Sequence, residues 1–239
     1  MSQMHLISLP LELRSLRRWA AKQGFGADEG RALHHLLSET FGKSALQPFR
    51  LLVAPGEDTG NLYAYAKTDE DNLRQVAREC AMPDALAVCD LDGLAVKPMP
   101  ETWREGRRLA FDLRVRPVKR LLRAVGVFPK GAEIDAFLAE VLRLHPDGRP
   151  DDERVERESV YRQWLEQRLG DAAKLEEARM VHFERRPVQR GGTTREGPDV
   201  TWHGELKVLD GAAFVARLAS GVGRHASYGY GMLLLRPAR

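Results

Sequence analysis

Residues 221–235 read GVGRHASYGYGMLLL: four glycines, Gly221, Gly223, Gly229 and Gly231, within eleven positions, then an apolar run. Glycine loses more backbone entropy on folding than any other residue and gives no side-chain packing. Such a cluster is unfavourable unless backbone must pass close to something. In a dinucleotide-binding fold a Gly-x-Gly loop follows a strand and opens a helix, whose N-terminus holds the pyrophosphate. Here Asp210 to Ala219 has helical spacing and Met232 to Arg236 reads as a strand, so the order is helix, loop, strand. Helix-dipole capture of a phosphate is thereby excluded. What remains is bare backbone beside Arg224 and His225, suited to close contact with an extended chain, or else a helix C-cap with a tight turn.

Helix–loop–strand is also how a β–α–β–β–α–β unit ends, and the residues upstream supply the rest of one. Val200 to Leu209 and Met180 to Gln189 read as strands joined by RGGTTREGPD, and Ser159 to Leu169 is an amphipathic helix stopped by Gly170. Arg107 to Pro117 alternates apolar and polar residues as a first strand. The intervening Val118 to Glu158 is charged and punctuated by Gly and Pro, with one helical patch from Ala132 to Leu144. The first half has the same order. His5 to Leu9 is a strand stopped by Pro10, and Leu11 to Gln23 is a helix. Asp28 caps a second helix, Glu29 to Phe41, closed by Gly42. Pro48 to Ala54 and Asn61 to Ala66 are strands, Asp69 to Ala81 is a helix, and Leu86 to Val96 is a last strand with an Asp-Leu-Asp-Gly interruption. The expected fold is therefore α+β, with two tandem ferredoxin-like βαββαβ units, 1–97 and 107–239.

Composition fits this size. Of 239 residues, 43% are hydrophobic, enough for real cores. The net charge is only +3, but among 37 basic residues eight are Lys and 29 are Arg. The planar guanidinium suits bidentate phosphate contacts, so the bias favours a polyanionic partner; an Arg-rich codon composition would produce it too. Cys80 and Cys89 have no metal-ligand spacing and read as reduced thiols. No charged-then-apolar leader opens the chain and no apolar run has membrane-spanning length, which predicts a cytoplasmic protein without a membrane partner.

Four stretches, in order along the chain, resemble one known family. The terminal loop with its following Met-Leu-Leu resembles the glycine-rich signature of CRISPR-associated repeat-RNA-processing endoribonucleases, of the CasE type found in type I-E (Cascade) systems. Phe111-Asp112-Leu113-Arg114-Val115-Arg116-Pro117-Val118-Lys119 is similar to the family's F-x-L-R-A-x-P-x-K strand end, and Trp164 to Gly170 to its W-L-x-x-(K/R)-L helix. Arg31-Ala32-Leu33-His34 sits where the family has its catalytic histidine. The resemblance implies tandem ferredoxin-like domains and cofactor-free, metal-independent cleavage of pre-crRNA at the 3′ base of the repeat stem-loop. The 2′-hydroxyl attacks the adjacent phosphate and leaves a 2′,3′-cyclic phosphate. It also implies retention of the mature crRNA beside other Cascade-type effector subunits. A non-catalytic crRNA-binding subunit of the same superfamily is the alternative; a small-molecule regulator would show no RNA affinity.

Helix geometry bears on the histidine independently. At about 100° per residue, Leu33, Leu36, Leu37, Thr40 and Phe41 form one stripe. His34 falls at its edge, near Arg31 and Ser38 at i−3 and i+4, whereas His35 points into water. A border residue lines a cleft and is held in orientation. In well-known relatives a tyrosine stands three residues before the histidine; here it is Arg31, which cannot exchange a proton at neutral pH but can neutralise phosphorane charge. The expected catalytic set is thus His34 with Arg31 and Ser38. For RNA binding the expected residues are Arg185, Arg186, Arg190 and Arg195 on the hairpin, and Arg114, Arg116, Lys119 and Arg120 at a strand end. To these the loop adds Gly221, Gly223, Arg224, His225, Gly229 and Gly231. A-form RNA is read by shape and phosphates, which an arginine-bearing hairpin suits; a solvated loop would look the same in sequence.

Overall fold

The structure, a computed structural model, describes residues 3–26, 28–145, 155–190 and 193–238. In β1 (His5–Glu12), Ile7, Leu9 and Leu11 alternate into the core. Helix α1 (Leu13–Lys22) buries Leu13, Leu16, Trp19 and Ala20. Helix α2 (Glu29–Phe41) follows, with Ala32, Leu33, Leu36, Leu37 and Phe41 inward. The hairpin β2 (Phe49–Leu52) and β3 (Thr59–Ala66), helix α3 (Glu70–Cys80), the short α4 (Pro83–Leu86) and β4 (Ala95–Pro98) complete the first unit. Its sheet has the order β2-β3-β1-β4, all antiparallel.

The second unit begins with β5 (Arg108–Val115). A small two-stranded sheet, β6 (Val118–Arg120) with β7 (Glu133–Asp135), and helix α5 (Ala136–Leu144) branch from it. Then come α6 (Arg157–Leu169), the long hairpin β8 (Ala173–Arg190) and β9 (Thr193–Val208), α7 (Gly211–Ser220) and β10 (Leu233–Pro237). The order β10-β5-β9-β8 repeats the first sheet's arrangement, with the unit's fourth strand beside its first and its third beside its second. Both sheets are the ferredoxin-like arrangement, in tandem. Among the described residues no helix is long and apolar enough to cross a membrane.

Two expected elements end differently, each for a local reason. Pro10 does not stop β1, which runs on to Glu12. Its carbonyl accepts from Asp90 N on the side where pairing with β4 has already ended at Ser8, so its missing N–H interrupts no ladder. Leu86 to Val96 is not one strand. Asp90 Oδ1 accepts from Asp92 N and Gly93 N, each at 3.1 Å, and this side-chain turn leaves only Ala95–Pro98 extended.

The units meet along β2, β3 and β10. Tyr65 on β3 donates to Leu233 O at 2.7 Å, and burial raises the Tyr65 pKa. Arg50 on β2 reaches Asp112 on β5 at 3.3 Å. The non-core face of β5, which bears Asp112 and Arg114, is thus covered by the first unit and not left to solvent.

Candidate active site and nucleic-acid interface

Helix α2 starts where sequence places it, because the Asp28 carboxylate accepts from Arg31 N at 3.0 Å. Its register leaves His34 half-buried and His35 exposed. His34 and Ser38 line one shallow cleft with Ser44 and Gln47 from the loop before β2. Arg31 does not line it; its guanidinium lies 5.0 Å from the centroid of the Phe25 ring, against which His35 stacks at 4.5 Å. The structure brings His34 and Ser38 together and turns Arg31 aside.

A residue absent from the sequence expectation stands against His34 instead. Tyr228 closes the 3-10 turn Ala226–Tyr228 inside the glycine loop, and its ring centroid is 5.1 Å from that of His34. Three contacts fix the loop on the first unit. Ser227 Oγ donates to Gln47 Oε1 at 3.0 Å. A Cβ on Gly30, in the first turn of α2, would lie 2.7 Å from Tyr228 O, so only glycine allows this approach. A Cβ on Gly229 would meet the Phe49 ring at 3.2 Å.

The glycines of the opening stretch therefore approach protein on several sides. Gly223, at φ +84°, faces the indole of Trp164 on α6, where a Cβ would sit 2.7 Å from the ring. Trp164 is itself buried and anchored by its Nε1–H to Val118 O at 3.1 Å. Gly221, Gly229 and Gly231 are buried, and Val222 N donates to Gly231 O at 2.8 Å, closing the loop on itself. The expectation of glycine backbone bared to RNA is corrected at these positions: their missing side chains are required by neighbouring protein.

The loop's charges are also engaged. Glu133 on β7 receives Arg224 Nε at 2.6 Å and His225 Nε2 at 2.7 Å. The His225 hydrogen bond, with help from the positive charge of Arg224, holds the Glu133 carboxyl below its ordinary range against partial burial. The segment between β5 and α6, whose purpose sequence leaves unread, thus supplies a carboxylate to the loop.

Arg114 and Arg116 are corrected too. Arg114 makes a bidentate pair with Asp199, Nε to Oδ1 at 2.8 Å and Nη2 to Oδ2 at 2.5 Å, and Tyr230 donates to the same carboxylate at 3.0 Å. Both guanidiniums lie over the Tyr230 ring, at 4.8 and 5.7 Å. Arg116 is only 4% exposed. Burial pushes the Asp199 carboxyl up, and the Arg114 hydrogen bonds outweigh it, leaving a lowered pKa. These arginines are internal because β9, through Asp199 and Gly197, and the Tyr230 ring of the glycine loop close over them. Lys119 and Arg120 sit on β6, Lys119 half-buried and Arg120 exposed with its Nε to Gly131 O at 3.3 Å.

Of the hairpin arginines, Arg185 and Arg186 have described side chains, and both are exposed in part. Strand β5 pairs with β9 only as far as Val200, so beyond it β8 and β9 continue as a free two-stranded ribbon to the pair Arg190↔Thr193. Arg185 is 53% exposed, with Glu196 at 3.5 Å across the ribbon. Arg186 contacts Glu184 at 2.6 Å and reaches toward Asp199 at 3.7 Å, linking ribbon to interior. Arg190 and Arg195 are placed near the tip by backbone pairing; Gly191 and Gly192, at the turn itself, lie outside the described residues.

The whole arrangement matches known folds end to end. Cse3 of Thermus thermophilus, in a structure bound to an RNA representing a pre-cleavage complex, is 22% identical at TM-score 0.68, with 98% of this chain and 100% of that one covered. The CRISPR-associated protein Cas6e of Escherichia coli K-12 is 18% identical at TM-score 0.60, covering 98% and 100%. A chain of a CRISPR RNA-guided surveillance complex is 15% identical, also at 0.60, with coverage of 98% and 100%. No curated protein sequence matches. The likeness to these structures is one of fold. Family membership rests on the sequence itself, whose match to the CRISPR associated protein model runs over residues 4–237 and so takes in both sheets, α2 and the glycine loop: the chain belongs to that family.

Proposed function

We propose that the protein binds the stem-loop of a CRISPR repeat RNA and cuts the precursor once at the 3′ base of the stem. It then keeps the crRNA as a subunit of a Cascade-type complex, using the two units 1–97 and 107–239 together. The observation that carries this reading is the cleft between α2 and the segment leading into β2, on whose His34 the Tyr228 ring of the glycine loop packs. There His34 is half-buried with the Tyr228 ring against it, and the unit that supplies this loop also carries the ribbon with exposed Arg185. Support comes from the RNA-bound Cse3 structure, whose fold this chain shares over its whole length.

The chemistry is attack of the 2′-hydroxyl on the neighbouring phosphorus, with the 5′-oxygen leaving. His34 takes the 2′ proton, since an imidazole is the side chain best matched to proton transfer near neutral pH. Ser38 orients a group in the cleft, and Arg31 adds positive potential one helical turn away. The ribbon arginines hold phosphates flanking the cut, positioning the stem without reading its bases. No metal takes part in the proposed reaction.

The test is incubation of wild type and His34→Ala with repeat RNA in EDTA, followed by mass spectrometry of the 5′ fragment for a cyclic phosphate. The expected result is a single cut by wild type, none by His34→Ala at undiminished RNA affinity, and little change in His35→Ala. The displacement of Arg31 from the cleft favours one second reading, a crRNA-gripping subunit without cleavage; tight binding with no cut by wild type establishes it.

A further inference from the structure

We infer that Tyr228 is the second proton-transfer group of the site, donating to the 5′-oxygen as it leaves. This deepens the cleavage reading above and rests on it. Transesterification needs a proton removed from the 2′-hydroxyl and another delivered to the departing alkoxide. One imidazole cannot do both in the same transition state, so a second group beside it is required. Arg31 cannot donate at neutral pH, and its guanidinium lies over Phe25. His35 is exposed and stacked on the same Phe25 ring.

Tyr228 meets the requirement by place and by chemistry. Its ring is 5.1 Å from that of His34, and it is half-buried rather than free to swing. The turn bearing it is clamped to the first unit by Ser227 on Gln47, a lining residue of the cleft. The close approach of Tyr228 O to Gly30 fixes the turn against the helix that carries His34. Of the two facing rings, the phenol carries an O–H donor and the imidazole a ring nitrogen that can accept a proton. The imidazole therefore takes and the phenol gives. The bond from O2′ to phosphorus forms as the bond from phosphorus to O5′ breaks. The 2′ proton goes to His34 and the phenolic proton to O5′. Loss of the proton from the imidazolium to solvent and uptake of one by the phenolate reset the site with no net proton consumed. The site is then shared between the two units, with base and acid nearly two hundred residues apart.

The test compares wild type, Tyr228→Phe and His34→Ala in single-turnover cleavage of two repeat RNAs. One has the natural 5′-oxygen at the cut and the other a bridging 5′-sulfur, which leaves as a thiolate without a proton. Tyr228→Phe keeps the ring against His34, and its melting temperature and RNA affinity are expected to match wild type. On the oxygen substrate it is expected to be about 100-fold slower, in the range of lost general-acid catalysis. On the sulfur substrate it should come within a few-fold of wild type, whereas His34→Ala stays inactive on both. Full activity of Tyr228→Phe on the oxygen substrate, or an equal slowing on both substrates, overturns the assignment while leaving the cleavage reading intact. Wild type that binds RNA and cuts neither substrate removes the reaction and the assignment together.

Discussion

Arg114 and Arg185 are the same residue type, each in a basic cluster on a strand and each beside the same stretch of β9, yet their settings are opposite. Arg114 lies inside, bonded twice to an Asp199 that is 1% exposed. Arg185 stands on a ribbon beyond the sheet with only a long contact to Glu196. An exposed pair of that kind contributes little to stability. A buried pair has a different energetic character: its attraction is offset by desolvation, but loss of one partner strands a charge. The count of basic residues therefore overstates the surface available to a polyanion. Arg114 fastens β5 to β9, Arg50 of the first unit holds Asp112 of β5, and the outer arginines are left for a ligand.

Asp199→Ala tests the inner group hardest. It leaves Arg114 charged and buried and costs the Tyr230 hydroxyl its acceptor. A loss of about 3–5 kcal/mol is expected in urea unfolding. The pH dependence follows from the depressed Asp199 pKa. The contribution is fully present above the ordinary carboxylate range and is lost as pH falls through the lower folded value. The gap between wild type and Asp199→Asn should accordingly close in acid. A variant as stable as wild type at pH 7 would break the distinction between the two groups.

Gly223→Ala is next in size and places the glycine loop on the inner side of the comparison. The position has φ +84°, and the added methyl would press on a fixed indole. Strain of about 1–3 kcal/mol and overpacking of similar size give an expected loss of about 2–4 kcal/mol. RNA affinity per folded molecule should not change. Weakened affinity at full stability would return the loop to the RNA-facing group.

What the sequence discloses divides along the same line. Both βαββαβ orders are legible because strands with one core face alternate strictly, as Leu109, Phe111, Leu113 and Val115 do, and because α2 has both its cap and its stripe. The opposite face of β5 reads as solvent-facing since its residues are charged. Only the packing of Asp199, Gly197 and Tyr230 around them reveals that Arg114 and Arg116 are interior. The half-buried setting of His34 is legible from its own helix, while its choice as a site residue comes from the family resemblance. Tyr228 is not, because its significance depends on a turn from the other unit docking on Gly30. The only signal in sequence was a pair of tyrosines, Tyr228 and Tyr230, set between the glycines, which does not say which of them meets His34. Asp199 and Glu133 escape for a similar reason, being single acidic residues whose partners come from other strands or a distant loop.

Arg185→Ala probes the outer group. Stability should stay within about 0.5 kcal/mol, as for surface substitutions in general. Affinity for repeat RNA should fall, and the slope of log affinity against log salt should shrink by about 0.7–0.9 if one phosphate contact is lost. Adding Arg190→Ala should shrink it by a second such step. An unchanged slope would make the ribbon a solvated hairpin and leave both arginine groups without a nucleic-acid role.

Glu133→Gln has the smallest expected effect and tests whether the loop charges can change groups. Glu133 holds Arg224, which is half-exposed, and His225. Because the carboxylate is partly solvated, its ion pairs are worth at most about 1 kcal/mol. Its pKa is lowered in the fold, so this contribution is present above the ordinary glutamate range and disappears as pH falls through the folded value. Glutamine keeps the shape and one acceptor oxygen but removes a negative charge next to Arg224 and the His225 ring. If RNA phosphate reaches this rim, it must compete with the carboxylate, and Glu133→Gln should bind repeat RNA a few-fold tighter, with a steeper salt slope than wild type. If Glu133 instead serves to hold His225 in its left-handed conformation, φ +69°, the loop loosens around Tyr228. Affinity then stays level while the cleavage rate falls. Measuring both on the same preparation decides whether Arg224 belongs with Arg114 or with Arg185.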